Sequence, residues 1–432
     1  MSRTLTAELP ALVGKRVLIE GWMHTMRSFP DFSFLVIRDR SGQAQVILEE
    51  GPELQRLRGL QNESVLRIEG DVVAEERSPI GVDVRNPSIT VLAPVTEVGP
   101  FELNKKVLKP SLDVFLNHAP YGLRHPSKVA TFRVMSTLLS AYREFLVGQD
   151  FTEISTPKIV GAATEGGANV FAVEYFDRHA YLAQSPQLYK QIMVGVFERV
   201  FEVGHAFRAE EHYTSRHLNE YCSLDLEMGF IRSQQDVMDV LAGVISAMVD
   251  AIHERNPREV EMLKIELPLG HSFPEITFRA GQQLILDRYG ENRFHEPDLS
   301  PQDERRLGEW AKEEHGSDFL FVTHYPTVKR PFYAYPDPDD PEHSETFDLI
   351  FRGVELVTGG RRINDYEQLV ASMEARGVDP QPFGGFLEAF RYGMPPEGGF
   401  AVGSERFLAR LMNADNIRET TLFPRDVGRL TP

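Results

Sequence analysis

The chain has 432 residues, 42% hydrophobic and 25% charged, the composition of a folded protein of two or three domains rather than a disordered one. Its 64 acidic residues against 46 basic ones give a net charge of -18, which disfavours indiscriminate binding to polyanions but allows a local basic face. One cysteine, Cys222, excludes an internal disulfide and a multi-cysteine zinc site; the apolar runs are too short for a membrane helix and the first eight residues lack a signal-peptide core, so a cytoplasmic location is expected.

The first hundred residues predict strands. Arg16 to His24, Phe32 to Arg38, Gln43 to Leu48, Ser64 to Val73, Gly81 to Val84 and Ser88 to Leu92 are β-rich runs, and Asp39-Arg-Ser-Gly42 is a hairpin turn. A short helix fits around Pro52 to Gln61. About five strands with a helix after the third is the order of an OB barrel, a fold that often binds single-stranded nucleic acid; any small β-barrel is the plainer alternative. This domain is assigned to residues 1–95. Pro94, Gly99-Pro100, Pro110 and Pro120 then punctuate a strand-poor hinge over 96–125. From Ser127 to Gly148, Phe132, Met135, Leu138, Leu139, Tyr142, Phe145 and Leu146 recur at helical spacing. They open an α+β domain over 126–432 that lacks regular βαβ alternation.

Three stretches carry chemistry. Phe207-Arg-Ala-Glu-Glu211 leads through a charged loop, with Arg216 and His217, to Leu224-Asp-Leu-Glu-Met228. Two antiparallel strands flanking such a loop put Arg208 and Glu210 on a sheet face, where arginine pairs with phosphate and a carboxylate accepts from an adenine amino group; a surface hairpin with ion pairs is the bland alternative. Gly398 to Met412 reads as a glycine-rich strand entering an amphipathic helix near Arg406, open to close approach by a ligand. Phe347 to Arg362 reads as a strand. Regular alternation there puts Asp348, Ile350, Val354 and Leu356 on one face and Glu355 on the other. Glu355 and Thr358, hard oxygen ligands suited to Mg²⁺ between protein and phosphates, then converge only if the strand ends or bends near Gly359-Gly360.

In combination these stretches resemble the class II aminoacyl-tRNA synthetases, over essentially the whole chain. Phe151-Thr-Glu-Ile-Ser-Thr-Pro157 resembles motif 1, Phe207–Glu211 motif 2 and Gly403-Ser-Glu-Arg406 motif 3. With an OB-like domain in front, the chain looks like the aspartyl, asparaginyl and lysyl subgroup. Ala162-Ala-Thr-Glu-Gly-Gly167 and Leu182-Ala-Gln-Ser-Pro-Gln-Leu-Tyr-Lys-Gln191 resemble the aspartyl enzymes, in the compact archaeal-type form. The implied fold is an antiparallel sheet flanked by helices after the OB barrel, and motif 1 implies a homodimer. The implied reaction is two-step aminoacylation using ATP, Mg²⁺ and L-aspartate.

By the resemblance, Arg208, Glu355 and Arg406 are catalytic. Arg208 bridges the substrate carboxylate and the α-phosphate, Glu210 holds adenine, and Arg406 stacks on adenine or meets the γ-phosphate. Ala209, Arg216, His217, Leu218, Gly403, Ser404 and Glu405 complete the ATP site. Glu355 and Thr358 hold Mg²⁺ with help from Asp348. Glu165 takes the amino group of aspartate. Gln187, Leu188, Tyr189, Lys190 and Arg362, with Arg208 and Thr358, form the amino-acid pocket, where Lys190 is expected to meet the side-chain carboxylate and reject asparagine. Ala401 stands where motif 3 usually has glycine, and Thr358 where serine is common.

On the OB face, Phe34 and Gln45 are expected to read anticodon bases by stacking and hydrogen bonds. Family members confined to tRNA-Asp tend to carry tryptophan and lysine at two positions held here by His24 and Pro79. The resemblance therefore implies an enzyme that charges both tRNA-Asp and tRNA-Asn, linked to a tRNA-dependent amidotransferase. An aspartyl enzyme specific for tRNA-Asp, or an asparaginyl enzyme, is the alternative within the family; a tRNA-independent paralog and a catalytically inactive RNA-binding module are the others, and the barrel argues against the first of these and the intact Arg208, Glu355 and Arg406 against the second.

Overall fold

A computed structural model describes residues 1–30, 32–161, 169–268 and 272–431, and the chain divides into two compact units, Met1–His125 and Pro126–Pro432. In the first, β1 (Arg16–Ser28), β2 (Phe32–Arg38), β3 (Gln43–Glu49), β4 (Val65–Ala74) and β5 (Val82–Ala93) close a barrel in the order β1-β2-β3-β5-β4. The helix Pro52–Leu57 follows β3. Period-two alternation builds it: Leu35, Ile37, Val46 and Leu48 fill the interior, while Phe34, Val36, Gln45 and Ile47 face outward. Residues 96–125 are strand-poor but hold two short helices, Leu112–Asn117 and Ala119–Gly122. The prolines that suggest a hinge are compatible with them, because Pro120 occupies the first turn of the second helix, where a missing N–H costs nothing.

The second unit contains β6 (Thr152–Glu153), β7 (Ile159–Val160), β8 (Ala172–Tyr175), β9 (Arg178–Leu182), β10 (Arg199–Phe207), β11 (Glu220–Gly229), β12 (Glu275–Thr277), β13 (Phe319–Thr323), β14 (Thr346–Phe351), β15 (Val354–Arg362) and β16 (Glu397–Gly403). Eight of them form one sheet in the order β12-β13-β14-β15-β16-β11-β10-β6, and β7-β9-β8 form a small second sheet. The large sheet is mixed rather than wholly antiparallel, since both edge pairs, β12/β13 and β10/β6, are parallel. Leu224, Leu226, Met228, Phe347, Leu349, Phe351, Phe400 and Val402 join the helices Pro126–Val147 and Gln234–Arg255 in one apolar core. Alternation leaves the intervening residues, Ser223, Asp225, Glu227, Asp348 and Ala401, to the opposite, polar face.

One irregularity decides the site. β14 and β15 pair Leu349 with Val357 but Ile350 with Glu355, so β15 carries a bulge there. Leu356 and Val357 both enter the core, and Glu355 emerges on the same face as Thr358, with Asp348 opposite Thr358 across the strands. The bend expected near Gly359-Gly360 thus lies at Glu355–Val357, and the regular alternation that separates Asp348 from Glu355 does not hold.

Candidate active site

Two adjoining cavities, of about 290 and 400 Å³, open on the polar face and share Arg208, Tyr221, Ser223, Thr358 and Ala401. Arg208 lies just beyond the end of β10, not on the sheet face as expected, with its backbone N–H donating to the Asn219 carbonyl. It therefore stands at the junction, reachable from both sides. The methyl of Ala401, paired with Thr358 and Asp225 on the neighbouring strands, also lies at that junction.

The smaller cavity is lined by Glu210, Arg216, His217, Leu218, Glu355, Gly403, Glu405 and Arg406. Ala209 and Ser404 are not among its walls. Arg406 sits in the first turn of the helix Ser404–Leu411 and donates to the Glu355 carbonyl at 3.3 Å. Glu405 ties that helix to β11, because its carboxylate accepts the Cys222 backbone N–H (2.9 and 3.1 Å). The loop bearing Arg216 and His217 is tied down from the far end of the chain. The Arg418 guanidinium, 1% exposed, ion-pairs with Asp426 and donates to the Thr214 carbonyl, and the Thr214 hydroxyl lies 2.6 Å from His217 Nδ1. The glycines of β16 serve packing as well as access: a Cβ on Gly399 would collide with the Leu226 carbonyl and the Glu227 carboxylate, whereas Gly403 has room.

Glu355 and Thr358 meet as the resemblance implies, with the Thr358 hydroxyl donating to Glu355 Oε1 at 3.0 Å. Burial and the neighbouring Asp348 carboxylate push the Glu355 carboxyl up to about 7, against the opposing pull of Arg406. A half-buried acid crowded by like charge fits a site that takes a cation. Asp348 Oδ2 lies 3.0 Å from Arg330, while its Oδ1 is buried with no hydrogen-bond partner among the described residues. Among the described residues no cluster of three or more His, Cys, Asp or Glu side chains could hold a metal alone. Glu304 is the unforeseen member. It accepts the Glu355 backbone N–H at 2.8 Å and so fixes the bulge, and burial raises its own carboxyl.

The larger cavity is lined by Ser185, Gln187, Asp225, Lys329, Arg330, Tyr333 and Arg362. Arg362 donates from Nε to Glu227 (2.7 Å) and from Nη2 to the Gly399 carbonyl (2.9 Å). Leu188 and Tyr189 are not among the walls; Leu188 packs into an apolar cluster. Lys190 corrects the expectation most sharply. Its ammonium, 1% exposed, lies 3.1 Å from Asp225 and 3.1 Å from Glu227 and also donates to the Leu226 and Phe400 carbonyls. It supports the wall from behind and does not line the cavity, because two buried acids on β11 face it. Glu165 lies outside the described residues. Ser223, Arg330 and Lys329 carried no sequence signal, since nothing local marks them; Asp225 lies within the singled-out Leu224–Met228 strand, but no role was read for it.

On the barrel, Phe34 packs against Phe29 and Phe32 on the outer surface and Gln45 donates to Asp83 at 3.2 Å. Pro79 is exposed. His24 is not displayed. The β1/β2 register steps from Met23–Ile37 to Thr25–Val36, so His24 is the extra residue of a bulge. The residue is 8% exposed, with Nδ1 3.3 Å from Arg38, which pairs with Glu63 at 2.8 Å. Burial and the Arg38 charge lower it to about 4, so the ring is neutral and accepts from Arg38.

The mixed sheet thus carries a nucleotide-sized cavity bordered by arginines, and the chain also carries a closed five-strand barrel, a fold that often binds single-stranded nucleic acid. Residues 112–427 match the family described as tRNA synthetases class II (D, K and N), and residues 17–92 match the OB-fold nucleic acid binding domain. The chain belongs to the class II tRNA synthetases and is an aminoacyl-tRNA ligase that uses ATP. It is 44% identical, over all of both chains, to the aspartate–tRNA(Asp/Asn) ligase of Thermus thermophilus. It is 39% identical to the aspartate–tRNA(Asp) ligase of Pyrococcus horikoshii, covering 100% of this chain and 99% of that one. The solved asparaginyl-tRNA synthetase of Pyrococcus horikoshii, complexed with asparaginyl-adenylate, matches with a TM-score of 0.93 and 33% identity over the full length of both. No helix among the described residues is long and apolar enough to cross a membrane.

Proposed function

We propose that the chain attaches L-aspartate to both tRNA-Asp and tRNA-Asn through aspartyl-adenylate. The observation that carries the amino acid is Arg362, a buried cation lining the larger cavity, held by Glu227 and the Gly399 carbonyl. A side-chain carboxylate taken out of water needs such a partner, a neutral amide does not, and a lysine side chain would be repelled. ATP occupies the smaller cavity and aspartate the larger. Arg208, on the wall of both, holds the α-carboxylate against the α-phosphate and stabilises the charge that develops as pyrophosphate leaves. Glu210 takes the adenine amino group; Arg216, His217 and Arg406 hold phosphates and base. No protein nucleophile is needed, because positioning and fixed charge supply the rate. Mg²⁺, held by Glu355 and Thr358 together with phosphate oxygens, would neutralise charge on the transferring phosphates.

Acceptance of tRNA-Asn rests on the relative that shares 44% of the sequence and on Pro79 and His24, neither of which offers a side-chain donor on the surface where restricted enzymes carry lysine and tryptophan. Phe34 and Gln45 contact the anticodon. Aspartyl-tRNA-Asn is a mischarged product, so a tRNA-dependent amidotransferase must act on it. The segment ending at Pro157 joins two copies in a homodimer. Charging of purified tRNA-Asp and tRNA-Asn with aspartate tests the reading. Comparable aspartylation of both supports it; a preference for tRNA-Asp above about a hundredfold, near 3 kcal/mol, overturns the dual specificity.

A further inference from the structure

Asp225 and Arg362, on the wall of the larger cavity, are backed by a buried polar cluster of Lys190, Glu227, Gln191 and Glu397. Glu227 and Glu397 are both 0% exposed, on adjacent strands β11 and β16, yet their surroundings differ. Glu227 receives both cations, Lys190 at 3.1 Å and Arg362 at 2.7 Å. Asp225 takes Lys190 at 3.1 Å and the Ser223 hydroxyl at 2.6 Å. Glu397 makes no ion pair with any described residue. Its Oε1 accepts from Gln191 Nε2 at 3.0 Å, and its Oε2 has no hydrogen-bond partner among the described residues. The Gln191 amide is oriented by Gln187, a wall residue, whose Nε2 donates to Gln191 Oε1 at 3.2 Å.

We propose that Glu397 is a neutral carboxylic acid, and that its neutrality leaves Glu227 as the one anion of the pair, positioning Arg362 for the substrate's side-chain carboxylate. An ionised carboxylate buried without a cation is costly, and the group takes a proton instead. Lys190 and Arg362 together balance Asp225 and Glu227. An ionised Glu397 would leave a net negative charge beneath a cavity that must admit an anion. Burial and the adjacent Glu227 charge both raise the Glu397 carboxyl well above the ordinary range, which agrees with the geometry.

The inference rests on aspartate being the substrate, and the experiment separates the two. ATP–pyrophosphate exchange is measured for wild type, Glu227→Gln and Glu397→Gln, with KM taken for aspartate and for ATP. Glu227→Gln should raise the aspartate KM at least about tenfold and leave the ATP KM within about threefold. Glu397→Gln, which copies the neutral form, should keep the aspartate KM within about threefold of wild type. Infrared difference spectra of wild type against Glu397→Gln should show a protonated-carboxyl stretch that moves in D₂O. An equal rise in KM for the two variants, or no protonated-carboxyl band, overturns the proposal. If Glu227→Gln fails to fold, the Glu397→Gln kinetics and the infrared band still decide it. A wild-type protein that does not activate aspartate at all would fail the substrate reading instead.

Discussion

Replacing Lys190 with methionine distinguishes a lysine that touches the substrate from one that holds the wall. The ammonium has four acceptors, Asp225, Glu227 and the Leu226 and Phe400 carbonyls, and is 1% exposed. Methionine keeps most of the volume and removes the charge, leaving Asp225 with the Ser223 hydroxyl and Glu227 with Arg362. Removing one partner of a buried ion pair costs about 3–5 kcal/mol. Proton uptake by the abandoned acids limits the loss, at about 1.4 kcal/mol for each unit their affinity must rise. At about 2–3 °C per kcal/mol for a unit of this size, Tm should fall by roughly 6–15 °C. The aspartate KM should rise at least about tenfold, because Asp225 and the Glu227–Arg362 pair lose their shared anchor, while the ATP KM stays close to wild type. Thermal melts and ATP–pyrophosphate exchange on one preparation measure both. A variant with an unchanged Tm and a raised aspartate KM would refute this placement and put the ammonium on the substrate.

Glu355→Ala should nearly abolish pyrophosphate exchange without lowering Tm, since an acid held near 7 by burial and like charge does not stabilise the fold; near-normal exchange would sink the cation assignment. With Glu355 raised to about 7, protons compete with Mg²⁺ below that pH, so the Mg²⁺ needed for half-maximal exchange should climb up to about tenfold per pH unit lost. A flat requirement between about pH 6 and 8 would count against the competition. His24 is lowered from 6.5 to about 4, so the unfolded chain binds the extra proton in that window. Its contribution to the stability of the first unit should be present above 6.5 and lost as pH falls towards 4, by about 1–2 kcal/mol after allowance for solvent reaching the ring; His24→Gln should flatten that limb of a pH–denaturation series. Pro79→Lys should move charging towards tRNA-Asp with adenylate formation unchanged, and equal charging of both tRNAs by the variant would remove Pro79 as a selector.

What the sequence revealed follows the range of the forces involved. The barrel was readable because its strands alternate and its turns carry their own residues. Arg208, Glu355 and Arg406 were readable because each lies in a contiguous signature. The bulges were not: neither the one that turns His24 inward nor the one that swings Glu355 beside Thr358 has a local marker, and each depends on the register of a neighbouring strand. Lys190 was found but its direction was not, since the acids that claim it lie on β11, more than thirty residues on. Glu304 and Arg330 reach the site from segments that carry none of the quoted signatures. The two parallel edge pairs escaped for the same reason, because β6 and β12 are only two and three residues long.

The sheet order has a consequence for how the protein is made. β16 lies between β15 and β11, yet it follows every other strand in the sequence. As the ribosome delivers the chain, β10 and β11 can pair with each other, and β12 to β15 can pair among themselves. Until residues 397–403 emerge, both groups present a bare inner edge of unpaired N–H and C=O groups lined by Leu224, Leu226 and Val357. Such edges invite pairing with other chains. A message truncated even slightly upstream of Glu397 would therefore yield two halves of a sheet with nothing to join them, a species destined for chaperones or proteases. The glycine-rich strand that borders the catalytic cavities is also the last seam of the fold.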